Sequence, residues 1–164
     1  EEKKLRKAEL ITPPNTLKQK MGSGGIDPNI RAKAEEALTN NKVDFKPIAA
    51  ELLAALNDGI QKTKDGTLQG EVAVESMLYP AMQFKAQGGM FNYPLITELG
   101  NILVNFLETV TTADKDVLDI VIAHKMAINV VISTGMTGDA GAKGKALETS
   151  LIDACNRYYA AKKH

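Results

Sequence analysis

Apolar residues in this chain recur at helical spacing and almost nowhere at alternate positions. Leu95, Leu99, Ile102, Leu103 and Phe106 fall on one side of a helix, with Glu98, Asn101, Asn105 and Glu108 opposite. Ile48, Leu52, Leu53, Leu56 and Ile60 repeat the pattern. A half-buried strand alternates apolar and polar positions, and no convincing run of that kind stands out. The chain is therefore restricted to helices that each bury one face against a neighbour.

Helix ends are written in the same residues. Asp27-Pro28 reads as an N-cap followed by proline at the first helical position, opening a helix that runs to about Thr39 and ends at Asn40-Asn41. A second helix starts near Asp44 and Pro47 and ends before Asp65-Gly66. A third spans about Val72 to Ala86 and stops at Gly88-Gly89; Pro80 inside it removes a backbone hydrogen bond and is expected to bend it. A fourth begins near Tyr93-Pro94. A fifth opens at Thr112 and reaches about Ser133, apolar over a wide arc (Val117, Leu118, Val121, Ile122, Val130, Val131). A glycine-rich loop, Gly135 to Gly144, then leads to a sixth helix from roughly Lys145 to Ala161. Short connections between successive long helices imply antiparallel neighbours, hence a bundle.

Residues 1–27 read as an arm. Thr12-Pro13-Pro14-Asn15 does not fit inside a helix, and Gly22-Ser23-Gly24-Gly25 is a flexible link. Ile11, Leu17 and Met21 give the arm apolar side chains, so a disordered leader and a tether that orders on a surface are both open readings. Residues 28–164 are expected to form one domain.

Composition narrows the function classes. The 164 residues are 44% apolar, enough for a core, and no apolar run is expected to span a membrane. Twenty basic and 20 acidic side chains balance to zero, which argues against the basic face a nucleic-acid binder needs. One cysteine, Cys155, rules out an internal disulfide and suggests a reducing, cytoplasmic setting; no secretory signal is visible. With two histidines and one cysteine there is no zinc-ligand spacing, and neither a metal nor a cofactor is expected.

The most informative stretch is Ala81-Met82-Gln83-Phe84-Lys85-Ala86-Gln87-Gly88-Gly89-Met90-Phe91-Asn92-Tyr93-Pro94. It resembles the signature of histidine phosphotransfer domains of proteobacterial type. In that family a helix presents a phosphoacceptor histidine, a lysine one turn later and a glycine beside it, followed by a small-residue stretch, a turn glycine and the next bundle helix. On this chain Met82 stands at the histidine position and Lys85 matches the lysine. Ala86 replaces the glycine, Gln87 and Gly88 fit the small or polar stretch, and Asn92 stands at the turn glycine. The likeness covers roughly residues 70–110 and is only architectural elsewhere.

The resemblance implies an antiparallel four-helix bundle with additional N- and C-terminal helices. It also implies a partner, a response-regulator receiver domain or a sensor histidine kinase, bound through Met82, Gln83, Lys85, Ala86, Gln87 and Gly89. The chemistry departs from the family. A thioether cannot form a phosphoramidate and does not titrate, so phosphate is not relayed at Met82. The expected protein is a pseudo-phosphotransfer adaptor in bacterial two-component signalling and not an enzyme. A plain packing role serves equally for Met77, Met82 and Met90.

Two further readings stay open. Glu98 and Asn101, one turn apart, resemble the acid–amide dyad of receiver phosphatases, in which the amide orients a water. A non-catalytic helical scaffold is the third. His124 shares its face with Val117, Ile120, Val121, Ile128 and Val131, so a buried, hydrogen-bonded core histidine is expected; Ala127 stands where a phosphoacceptor's lysine should be. The glycine-rich loop lacks phosphate-loop spacing and reads as an interhelical hinge.

Overall fold

A computed structural model describes residues 27–39, 44–138 and 140–162. The expectations for the arm and for Asn40-Asn41 lie outside these residues. The described residues form six α-helices and one 3₁₀ turn, with no strand among them. The helices are α1 (Pro28–Thr39), α2 (Phe45–Lys64), α3 (Gly70–Gln87), α4 (Pro94–Leu107), α5 (Lys115–Thr134) and α6 (Gly141–Lys162), and the 3₁₀ turn Gly88–Phe91 links α3 to α4. The chain divides after Thr39 into two compact units. In the first, α1 opens with Asp27 accepting the Asn29 N–H at 2.8 Å and carries an Arg31–Glu35 ion pair along its exposed side.

In the second unit each helix packs on its chain neighbour: α2 on α3, α3 on α4, α4 on α5. Helix α5 returns to α2, and α6 lies against α4 and α5. The core is built as two apolar clusters. One gathers Leu56, Ile60, Met77, Leu103, Phe106 and Val121; the other gathers Phe45, Phe84, Ile96, Leu99, Ile128 and Leu151.

Two helices of this unit open on an aspartate cap. Asp44 accepts the Lys46 N–H at 3.0 Å and starts α2; Asp114 accepts the Val117 N–H at 3.0 Å and starts α5. The opening of α5 is therefore Lys115 rather than Thr112, because the aspartate and not the threonine is the cap. Asp114 also takes the Lys162 ammonium at 2.9 Å on its other oxygen. Asp114→Ala is expected to cost about 1 kcal/mol in urea unfolding, whereas Asp114→Asn, which keeps the cap and loses only an exposed ion pair, should cost less than about 0.5 kcal/mol.

Helix α3 runs through Pro80 without interruption and buries it. The missing N–H leaves the Ser76 carbonyl without its usual partner. That carbonyl faces α2, where a Cβ on Gly59 would lie 3.3 Å from it and 2.9 Å from the Ser76 hydroxyl oxygen. Gly59 is therefore the close-approach point of α2 and α3.

Two further expectations need correction. Helix α6 begins at Gly141, a turn before Lys145, so Gly141 and Gly144 belong to the helix and not to the loop. Gly144 is buried against α4, where a Cβ would lie 3.1 Å from Leu95 Cδ2. And α5 is long and apolar enough to cross a membrane by length and composition alone, contrary to the reading of the apolar runs. Half of its most apolar stretch is buried inside the fold, as a central core helix requires.

Candidate functional site

Helix α3 buries Ala73, Val74, Met77, Pro80, Ala81 and Phe84 and turns the intervening positions outward. The outward set includes Val72 (58% exposed), Tyr79 (64%) and Met82 (49%), and Met90 (63%) follows in the 3₁₀ turn. Eight large apolar side chains are exposed among the described residues, and these are four of them. The other four are divided among α1, α5 and α6, so the group on α3 and the turn after it is the largest, and grouped apolar exposure of this kind suits a contact surface. The structure separates the methionines that the sequence left equivalent: Met77 is fully buried core, whereas Met82 and Met90 are surface.

The other residues singled out at this place are brought together around Met82. Lys85, Ala86 and Gly89 are exposed on the same side. Gln83 and Gln87 are half-buried, and the Gln87 amide donates to the Gln83 side-chain oxygen at 2.8 Å, one turn apart. Lys85 therefore supplies the cationic group of the face, in the last turn of α3, where the helix dipole favours positive charge.

The face rests on a tightly fitted base. At Gly100 of α4, a Cβ would sit 2.6 Å from the Lys85 nitrogen, 3.0 Å from its Cα and 3.1 Å from the Phe84 carbonyl carbon. Backbone thus meets backbone beneath Lys85. At Gly88 a Cβ would lie 2.8 Å from the Thr97 nitrogen and 2.9 Å from the Tyr93 carbonyl oxygen. The Gly89 N–H donates to Thr97 Oγ1 at 2.8 Å. Asn92 ends the 3₁₀ turn with φ 62°, the left-handed conformation expected of the residue standing at a turn glycine, and among the described residues it is the one non-glycine with positive φ. Phe45 stacks on Phe91 at 4.9 Å and lies 5.5 Å from Tyr93, tying the start of α2 to the same turn. The Gly138 N–H donates to the Asn92 carbonyl at 3.0 Å, so the glycine-rich loop, expected as a free hinge, is latched to this turn through that bond.

Glu98 and Asn101 lie on α4, the acid exposed and the amide half-buried. Glu98 lines a shallow pocket of about 180 Å³ with Pro94, Gly138, Lys145 and Glu148; Asn101 is not part of its wall.

His124 is completely buried. Its Nδ1 lies 2.9 Å from the Ile120 carbonyl, and since a carbonyl only accepts, Nδ1 carries the proton and donates. The other ring nitrogen, Nε2, is buried with no hydrogen-bond partner among the described residues. The expected satisfied histidine is thus only half satisfied. Burial pushes its pKa down to about 4, so the ring is neutral at pH 7. Cys155 is buried as well, and burial raises its thiol to about 11, which makes it an inert core residue.

Tyr79 and Val72 escaped the sequence reading, although their spacing from Met82 and Ala86 carried the signal: 72, 79 and 86 are seven apart, with 82 between. Gly100 escaped too; its signal was a glycine inside an apolar helical stripe, which marks close backbone approach. Compared with family models, with curated proteins and with solved structures, the chain matches none significantly.

Proposed function

We propose that this chain is a docking module of histidine-phosphotransfer type, an antiparallel helical bundle that has lost its phosphoacceptor. In this reading it binds a response-regulator receiver domain or a sensor kinase in the cytoplasm of a bacterium through the outer face of α3. One observation carries it: Met82, at the position of the family's histidine, is exposed in the middle of an apolar face with Lys85 one turn on. An adaptable thioether at the centre and a cation at its edge suit a partner with an apolar contact patch beside an acidic phosphorylation pocket. The same thioether cannot accept phosphate, so docking alters the partner's signalling without relay.

The test mixes the purified protein with receiver domains phosphorylated by a small-molecule phosphodonor. Binding, label on both proteins and free phosphate are followed together. Binding without transferred label is the expected result. Lys85→Glu should weaken it about tenfold and remove most of its salt dependence, and Met82→Glu should weaken it by at least as much. Stable label on this chain overturns the reading. Faster phosphate release that Asn101→Ala abolishes replaces it with the Glu98–Asn101 phosphatase, and binding to no receiver or kinase leaves a helical scaffold.

A further inference from the structure

The docking face is self-complementary. Its exposed positions form a seam along α3, with Val72, Tyr79 and Ala86 at one set of seven-residue intervals and Glu75 and Met82 at the other, which Gly89 continues into the 3₁₀ turn. Such a repeat keeps the seam on one side of the helix over its whole length, the geometry by which one helix lies along another. A two-fold axis drawn between residues 80 and 81 sets Tyr79 against Met82 of a second copy, twice. The same axis sets Val72 against Gly89 and Met90, and Glu75 beside Lys85.

We infer that a second copy of this chain docks on this face, antiparallel and isologous, and so competes with the partner that binds there. The charges select the occupant and its direction. Glu75 and Lys85 lie on opposite sides of the axis, about 15 Å apart along α3 at the helical rise per residue. An antiparallel pairing brings each carboxylate to the other copy's ammonium. A parallel pairing would set Glu75 on Glu75 and Lys85 on Lys85. Antiparallel packing also sets the positive N-terminal end of each helix dipole, with Glu71 and Glu75, beside the negative C-terminal end of the other, with Lys85. A contact made by one helix from each copy falls short of the roughly 1,600 Å² of a standard stable interface, so the dimer is a weak, concentration-dependent one. That weakness lets a heterologous partner displace it.

The competition rests on the docking reading above; the dimer does not, because it is measured with no receiver present. Sedimentation of the full chain over a concentration series is compared for the parent, Glu75→Lys, Lys85→Glu and the double variant. All four keep the buried side of α3, and circular dichroism checks that each is folded. Each single reversal sets like charges opposite one another and should raise the dimer dissociation constant about tenfold. The double reversal restores the pairing and should return it to within about threefold of the parent. A parent that stays monomeric to millimolar concentration overturns the dimer. So does a dimer that the single reversals leave unchanged, which would place the contact elsewhere, or one that the double reversal fails to rescue. In receiver titrations the parent's apparent affinity should fall as its own concentration rises, while monomeric Glu75→Lys, which keeps Lys85, should not show the fall; a parent without the fall overturns the competition. A charge-sensitive dimer that binds no receiver removes the docking reading and leaves the self-association standing.

Discussion

Gly100→Ala is expected to destabilise the fold by about 2 kcal/mol in denaturant unfolding and, on the proposed docking role, to weaken receiver binding with it. The added methyl would meet the Lys85 nitrogen at 2.6 Å, its Cα at 3.0 Å and the Phe84 carbonyl carbon at 3.1 Å. All three are backbone atoms, so no rotamer change relieves the clash and α4 must move off α3. Overpacking of this kind costs about 1–3 kcal/mol or more, and alanine recovers only about 1 kcal/mol through its better helix propensity. Gly89→Ala is the control. There the nearest obstacle is Thr97 Oγ1 at 3.5 Å, an ordinary contact, and φ is not in the left-handed region. A Gly100→Ala protein as stable as Gly89→Ala would mean that the α3–α4 contact has slack. The prediction also separates scaffold from surface: Gly100 is buried, so on the proposed docking role any loss of receiver binding in its alanine variant measures displacement of the Lys85 turn.

The second large effect is acid sensitivity. His124 has an ordinary pKa of 6.5 when unfolded and about 4 in the fold, because burial penalises the charged ring and only the Ile120 carbonyl opposes that. Above pH 6.5 both states are neutral and the histidine contributes no pH dependence. As pH falls from 6.5 towards 4, the unfolded chain takes up a proton that the folded chain refuses, so stability drops. At about 1.4 kcal/mol per pH unit the loss approaches 3 kcal/mol by pH 4 and then levels off. A charge at Nε2 would have no acceptor in the core, which is why protonation favours opening over local adjustment. Urea titrations at closely spaced pH values should show this slope in the parent. His124→Leu should lose it, whatever its absolute stability. An unchanged slope in the leucine variant would assign the acid response to the carboxylates instead.

The two effects separate what was legible in the residues from what was not. Helices, their ends and their special turn conformations are local properties. Asp27 and Asp44 mark helix starts because a carboxylate before a helical stretch reaches an amide two residues on. Asn92 takes φ 62° because the step from the 3₁₀ turn into α4 needs a left-handed residue, and asparagine tolerates one. Lys85 and Ala86 could be set beside Met82 from spacing alone, since neighbours one turn apart share a face.

Which face is covered is a different matter. Met77 and Met82 are chemically the same, and only the packing of α2 and α4 against α3 buries the first and leaves the second in the open. Gly144 read as loop because nothing local reveals that Leu95, far away in sequence, comes to lie against it. The same holds for Gly59 and Gly100, whose missing side chains matter only because another helix backbone passes within contact distance. His124 looked satisfied because its helix offers a carbonyl one turn back, but the fate of its second nitrogen rests on what the rest of the bundle presents to it, and among the described residues it finds no hydrogen-bond partner. The sequence by itself determined the helices and their boundaries to within a turn, because those follow from hydrogen bonds and caps made within a few residues. The tertiary structure alone decided which side chains form the core, where backbones touch, and that the apolar stripe of α3 is left open, because each is set by contacts between residues distant along the chain.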